Sequence, residues 1–151
     1  MDLLKDKVAI ITGAGSGMGR ATSLRFAAEG AAVIAVDREP RSVQETAELV
    51  KAQGGNVIAL ETDVSEPEDV QGMIRAAVDN FGRLDILYNN AGGTSPADGP
   101  VTEAGLDAFW HTIRLDLFGT WLCSRHAIPE MIKNGGGSVI NTSSIVAVIG
   151  R

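Results

Sequence analysis

Cysteine, positive charge and long apolar runs are all scarce in this sequence, and each shortage excludes a class of protein. The one cysteine, Cys123, cannot form an internal disulfide framework, so we expect a reducing compartment, the cytoplasm, and a thiol packed inside a helix. The 19 acidic residues outnumber the 13 lysines and arginines, so no nucleic-acid surface is expected. No apolar run reaches the roughly 18 residues that cross a membrane, and residues 1–7 lack a signal-peptide pattern. His111 and His126 have no partner at metal-ligand spacing, so no metal site is expected.

Short apolar runs alternate with helical patterns along the chain. The runs predict five strands, at Val8–Thr12, Ala32–Asp37, Asn56–Glu61, Leu84–Asn89 and Ser138–Ser143. They are near-continuous, which is typical of parallel strands covered on both faces. The segments between them predict four helices, at Met18–Glu29, Arg41–Gln53, Pro67–Phe81 with Ser65 as N-cap, and Glu103–Asn134. We therefore expect one α/β domain over residues 1–151, a doubly wound parallel sheet with helices on both faces.

A glycine-rich turn, Thr12–Gly19, joins the first strand to the first helix. Such a turn binds anions, because N–H groups point outward from the helix N-terminus and glycine lets a phosphate approach. No Gly-Lys pair occurs, which excludes a Walker loop, and Met18 stands where G-x-G-x-x-G needs its last glycine. The pattern is T-G-x-x-x-G-x-G, which resembles the cofactor loop of the short-chain dehydrogenase/reductase family. The resemblance implies a Rossmann-like fold and a dinucleotide site that includes Gly13, Ser16, Gly17, Met18 and Gly19.

Acidic residues end the next two strands, at the edge where such a sheet binds ligands. Asp37 lies about 20 residues beyond the glycine turn, where an acid accepts hydrogen bonds from an adenosine ribose and favours NAD over NADP. The alternative is that Asp37 is a solvated turn acid. Arg38, the next residue, could pair with the 2′-phosphate of NADP, which keeps NADP open as a cofactor. The resemblance places Asp63 and Val64 beside the adenine ring, although Asp63 could instead only begin a turn.

The fourth strand ends in Asn89-Asn90-Ala91-Gly92, which is similar to the family's N-N-A-G sequence beside the cofactor. Asparagine side chains can bridge neighbouring loops, and Ala-Gly permits close approach of a ribose or nicotinamide. We therefore expect Asn90, Ala91 and Gly92 to bind the cofactor. The polar loop 93–100 is expected at the rim of the substrate pocket.

The resemblance also implies two catalytic positions. Ser144 matches the family's catalytic serine by register, although two serines at a strand end could simply cap a turn. Asp116 stands where the family has an asparagine that holds a proton-relay water. A carboxylate accepts hydrogen bonds but does not donate as an amide does, and its charge is costly in a partly closed site. A relay through Asp116 would therefore differ from the family's.

The family's Y-x-x-x-K pair is absent, because the only tyrosine is Tyr88 and the residue four positions later is Gly92. In the family this tyrosine exchanges the substrate proton and the lysine lowers its pKa. The resemblance thus implies the N-terminal part of an NAD-dependent oxidoreductase of small alcohols or carbonyls. We expect these 151 residues to turn over little substrate alone. The alternative is a catalytically inactive, truncated fragment that binds a nucleotide or a partner protein.

The fourth predicted helix is apolar on more than one side, so it should be buried on more than one side. An approximate stripe is formed by Phe109, Trp110, Ile113, Leu117, Trp121, Ile128 and Ile132, with Leu115, Phe118 and Leu122 on other sides. One side should cover the sheet. The resemblance implies that another side meets a second subunit, and burial by other segments of the same chain is the alternative.

Overall fold

A computed structural model describes residues 2–149, apart from the side chain of Val146, and contains one five-stranded parallel sheet. The strands are β1 (Val8–Thr12), β2 (Ala32–Asp37), β3 (Asn56–Glu61), β4 (Ile86–Asn89) and β5 (Ser138–Asn141). Their order is β3-β2-β1-β4-β5, and all four neighbouring pairs are parallel. The chain thus extends the sheet in one direction from β1 and then returns to extend it in the other. This reversal leaves a crevice beyond the carboxyl ends of β1 and β4, where doubly wound sheets bind ligands.

Helices connect the strands. They are α1 (Gly17–Ala28), α2 (Pro40–Ala52), α3 (Pro67–Phe81), α4 (Leu106–Thr112), α5 (Thr120–Lys133) and the short α6 (Val146–Ile149). A π-helical segment, Ile113–Gly119, joins α4 to α5, and we call residues 106–133 the long helix. No described helix is both long and apolar enough to cross a membrane.

The predicted fold class is confirmed, and most element bounds agree with the sequence to within a residue or two. β4 begins at Ile86 rather than Leu84, and β5 ends at Asn141 rather than Ser143. Residues at these ends still hydrogen-bond to neighbouring strands, since Asp85 N–H donates to Val8 O and Thr142 N–H donates to Asn89 O. The long helix begins at Leu106, not Glu103, and α6 had no counterpart among the predictions.

The prediction of Ser65 as N-cap of α3 is wrong. The N-cap is Glu66, with no side-chain hydrogen bond at the cap. The Ser65 hydroxyl instead donates to Asp63 Oδ1 at 2.7 Å, because Asp63 organises the turn before the helix. Asp69, in the first turn of α3, accepts the Asp63 N–H at 2.8 Å.

Each face of the sheet has its own apolar core, because side chains alternate along a strand. On one face Ile10, Ile34 and Leu87 pack with residues of α3 and α5, and on the other Ile11 and Val33 pack with residues of α1 and α2. Burial on both faces explains why the central strands β1 and β2 are continuously apolar.

The long helix covers the sheet with small and flexible side chains. Its buried residues in α5 are Leu122, Cys123, Ala127 and Met131. Burial raises the pKa of the Cys123 thiol to about 12, which fits the small apolar role expected of it. The large aromatic residues lie on the outer side, where Trp110 and Trp121 are 54% and 51% exposed.

Candidate functional site

A cavity of about 440 Å³ lies beyond the carboxyl ends of β1, β2, β3 and β4. The lining includes every residue predicted to bind the cofactor except Gly19. These are Gly13, Ser16, Gly17, Met18, Asp37, Arg38, Asp63, Val64, Asn90, Ala91 and Gly92. Five further residues line it: Gly93 and Thr94 come from the loop expected at the rim of the substrate pocket, and Thr62, His111 and Leu115 had not been predicted. Residues from four separate loops therefore meet around one space, as the order of the strands requires.

Glycine is required in the turn after β1 for two different reasons. Gly13 and Gly17 have positive φ, at 64° and 49°, a conformation that side chains rarely adopt. Gly19 is buried, and a Cβ there would collide with the carbonyl oxygen of Gly13. Gly19 does not line the cavity, so its place in the pattern comes from close packing beneath the turn.

The end of β2 supplies a carboxylate that is fixed by two backbone donors. Asp37 Oδ2 accepts the Gly15 N–H at 2.9 Å, and Oδ1 accepts the Glu39 N–H at 3.0 Å. A Cβ on Gly15 would lie 2.8 Å from Asp37 Oδ2, so the contact depends on glycine. Each carboxylate oxygen keeps further acceptor capacity for a ligand. Arg38 is exposed beside it and also lines the cavity.

The acid at the end of β3 belongs both to a turn and to the wall of the cavity. Asp63 organises a turn, since its Oδ1 accepts both the N–H and the hydroxyl of Ser65, and it also lines the cavity. Val64 is buried against the long helix, where a Cβ on Gly119 would lie 2.9 Å from Val64 Cγ2.

Hydrogen bonds connect the N-N-A-G sequence to the end of β1. The buried Thr12 Oγ1 accepts the N–H groups of Asn90 and Ala91 at 3.0 and 2.9 Å. In return, Asn90 Nδ2 donates to the carbonyl oxygens of Thr12 and Gly13 at 3.0 and 3.2 Å. The glycine turn and the β4 loop therefore have a fixed relative position.

The two predicted catalytic residues are not among those lining the cavity. Asp116 is exposed in the π-helical segment, and its Oδ1 accepts the Gly93 N–H at 3.1 Å. Within residues 2–149, Asp116 is open to water. Ser144 is exposed between β5 and α6, where its carbonyl accepts the Ala147 N–H.

Tyr88 OH accepts a hydrogen bond from Thr142 Oγ1 at 3.3 Å. His111 is exposed on α4 at the edge of the cavity. Within residues 2–149 no group of three histidine, cysteine or acidic side chains could hold a metal ion.

The family assignment follows from comparison with known proteins. The short chain dehydrogenase model matches residues 7–151. The chain belongs to the short-chain dehydrogenase family. The family's fold accounts for the position of the cavity.

Relatives of known sequence and structure agree with this assignment. The chain is 43% identical over 145 residues to YxbG, an uncharacterized oxidoreductase of Bacillus subtilis, covering 96% of this chain and 52% of the relative. It is 33% identical over 145 residues to cyclohexanol dehydrogenase of an Acinetobacter species, covering 96% and 57%. The solved structure of NAD⁺-bound xylitol dehydrogenase matches with a TM-score of 0.93 at 31% identity, covering 99% of this chain and 57% of that one. The chain thus spans little more than half the length of these short-chain dehydrogenases.

Proposed function

We propose that this chain is the cofactor-binding part of an NAD-dependent oxidoreductase, which transfers a hydride between NAD(H) and a small alcohol or carbonyl. The observation that carries the proposal is the Asp37 carboxylate, fixed by the Gly15 N–H on the wall of the cavity. Nicotinamide cofactors accept and release a hydride, and the protein supplies binding and orientation. The NAD⁺-bound xylitol dehydrogenase among its relatives supports a nicotinamide cofactor here.

The residues around the cavity fit a dinucleotide. A Cβ at Gly17 would meet no atom within 4 Å, so the space above the glycine turn is open to a pyrophosphate at the start of α1. Asp37 would accept hydrogen bonds from the adenosine ribose, with Asp63 and Val64 beside the adenine. Ala91 and Gly92, without bulky side chains, would lie beside the nicotinamide end.

The charge at the end of β2 favours NAD over NADP. A fixed carboxylate repels a 2′-phosphate and accepts hydrogen bonds from a 2′-hydroxyl. Arg38 is the cation available to NADP, but it is exposed and its charge is screened by solvent.

The test is to measure dissociation constants for NAD and NADP with the protein at its natural length. We expect Asp37→Asn to weaken NAD binding about tenfold, or about 1.4 kcal/mol, while NADP binding is unchanged or stronger. Asp79→Asn, on the exposed side of α3, is the matched control and should change neither. Equal affinities for both cofactors in the wild type would contradict the NAD assignment.

Catalysis by residues 1–151 alone is proposed to be weak, because the sequence lacks Y-x-x-x-K. In the complete enzyme we assign Ser144 to the substrate oxygen and Asp116 to positioning the loop at Gly93. NAD reduction should be measured for the 151-residue chain and for the natural-length protein. Rapid turnover by the shorter chain, abolished by Ser144→Ala, would contradict this part of the proposal.

The outer face of the long helix is proposed as a contact between two copies of the protein. Leu117, Trp121 and Ile132 are 63%, 51% and 68% exposed there. Sedimentation of the natural-length protein should show an oligomer that Trp121→Glu dissociates and that Arg75→Glu, on α3, leaves intact. A wild-type monomer would instead favour burial of this face by other segments of the same chain.

We propose the cytoplasm as the compartment of this protein, because its single cysteine is a buried free thiol, which suits a reducing environment.

A further inference from the structure

The side chain of Arg20, at the start of α1, turns back onto the glycine turn. Its Nη2 donates to the carbonyl oxygen of Gly15 at 2.5 Å, and its Nε donates to Thr46 Oγ1 at 2.9 Å. The same Nη2 lies 3.2 Å from the carbonyl oxygen of Ser42 and 3.2 Å from the Glu45 carboxylate. Arg20 thereby connects the glycine turn to α2, the helix that follows β2.

Thr46 completes this connection from inside α2, where it is fully buried. Its hydroxyl accepts from Arg20 and lies 2.9 Å from the carbonyl oxygen of Ala14, with Ser42 O more distant at 3.2 Å. A hydroxyl has one hydrogen to donate, so the shorter contact to Ala14 is the main one. We call Arg20 and Thr46 together the clamp.

The clamp sets the direction of the N–H group that holds Asp37. In a trans peptide the C=O and the following N–H point in opposite directions, so fixing one fixes the other. Thr46 fixes the carbonyl of Ala14, and the N–H of the same peptide belongs to Gly15. That N–H donates to Asp37 Oδ2 at 2.9 Å. The orientation of the carboxylate therefore depends on a hydroxyl on the opposite side of the peptide.

The next peptide is fixed in the same manner. Arg20 holds the carbonyl of Gly15 toward α2, so the Ser16 N–H points away from α2. Ser16 lines the cavity. Two successive peptides of the glycine turn are thus oriented by side chains that do not line the cavity themselves.

We infer that the clamp determines cofactor selectivity: Arg20 and Thr46 are positioning residues that keep the Asp37 carboxylate directed at the ribose and so maintain discrimination against NADP. This inference rests on the proposed function. Without the clamp, the peptide group between Ala14 and Gly15 can rotate, and Asp37 loses the fixed N–H donor of Gly15. A carboxylate free to turn away repels a 2′-phosphate less and binds a 2′-hydroxyl less well.

The experiment compares the ratio of dissociation constants for NADP and NAD in two pairs of variants of the natural-length protein. Thr46→Val removes the hydroxyl at nearly constant volume, and Thr46→Ser retains it. Arg20→Gln removes the guanidinium. Glu45→Gln leaves the guanidinium in place and removes only the negative charge of the exposed carboxylate that pairs with it. We expect the ratio to fall about tenfold in Thr46→Val and Arg20→Gln, which is about 1.4 kcal/mol. Thr46→Ser and Glu45→Gln should keep the wild-type ratio.

A second measurement separates positioning from general stability. A merely structural clamp would lower the melting temperature and leave the ratio unchanged, because both cofactors need the same folded site. In an Asp37→Asn background, Thr46→Val should have no further effect on the ratio, because the carboxylate it positions is gone. Arg20→Gln is a separate variant at a half-buried site, so the inference stays testable if Thr46→Val does not fold.

The outcomes distinguish this inference from the function on which it rests. A wild-type protein that binds neither cofactor, or binds both equally, overturns the proposed function and the clamp's role with it. A wild type that prefers NAD, with variants that prefer it equally, overturns the inference alone.

Discussion

Gly19→Ala tests whether the turn after β1 needs glycine for space rather than for flexibility. A Cβ at this position would collide with the carbonyl oxygen of Gly13 and lie 2.8 Å from Asn90 Nδ2. The first obstacle is backbone, which cannot rotate aside as a side chain can. Overpacking costs about 1 to 3 kcal/mol, and a backbone obstacle puts this variant near the upper value. For a domain of this size, each kcal/mol lowers the melting temperature by about 2 to 4 °C, so we expect a loss of about 6 to 12 °C.

Gly19→Ala should also weaken cofactor binding in the molecules that remain folded. Asn90 Nδ2 also bonds the carbonyl oxygens of Thr12 and Gly13, so displacing it disturbs both sides of the cavity. Calorimetry well below the melting temperature should show NAD binding weakened at least tenfold.

A matched glycine variant controls for the added methyl group. Gly72 lies inside α3, where a Cβ would meet only Arg75 Nη2, at 4.0 Å. Gly72→Ala should stabilise the protein by up to about 1 kcal/mol and leave NAD binding unchanged, because alanine is the better helix former. If Gly19→Ala melts and binds NAD as the wild type does, the steric argument is refuted.

Three further predictions concern other parts of the chain. Gly17→Ala should lower stability by about 1 to 2 kcal/mol, measured by urea unfolding, because φ is 49° there although space is open. Burial alone would raise the pKa of Asp85, but hydrogen bonds from Arg83 and the Val8 N–H lower it below its usual value. The ionised Asp85 therefore stabilises the fold above its unfolded pKa of about 3.9, and this stabilisation is lost as the pH falls through the pKa of the folded state. The difference in melting temperature between the wild type and Asp85→Asn should accordingly shrink from pH 7 to pH 3. The Cys123 thiol, with its pKa raised to about 12 by burial, should react with a disulfide reagent at pH 8 only after unfolding; rapid labelling of the native protein would contradict its burial.

The fold was predictable because its signals are local. Continuous apolar runs indicated the parallel strands, and glycines or prolines marked most helix ends. Pro67 and Gly82 bound α3 as its sequence suggests. The Ser65 prediction failed because the helix begins at Pro67, which makes Glu66 the N-cap and leaves Ser65 in the preceding turn, where its hydroxyl donates to Asp63.

The candidate site was predictable only where residues follow a recognisable spacing. Asp37 ends β2 and Asn90 directly follows β4, so the topology brings them to the same edge of the sheet. Arg20 and Thr46 gave no such signal, because an arginine at a helix start and a threonine in a helix are ordinary residues. Their relation depends on how α1 packs against α2, which is a tertiary fact.

The long helix shows why hydropathy alone could not predict which side of a helix faces the core. Large apolar residues dominate any such pattern, yet Trp110 and Trp121 lie on the outer side. The side that packs against the rest of the chain is the one on which small residues allow close contact. Gly119, for example, is buried, and a Cβ there would lie 2.9 Å from Val64 Cγ2. This approach places Leu115, one turn earlier, in the cavity lining. Gly119→Leu should therefore displace the helix from the cavity and weaken NAD binding, whereas the exposed Leu117→Ala should not. Equal NAD binding by both variants would show that the helix position and the cofactor cavity are independent.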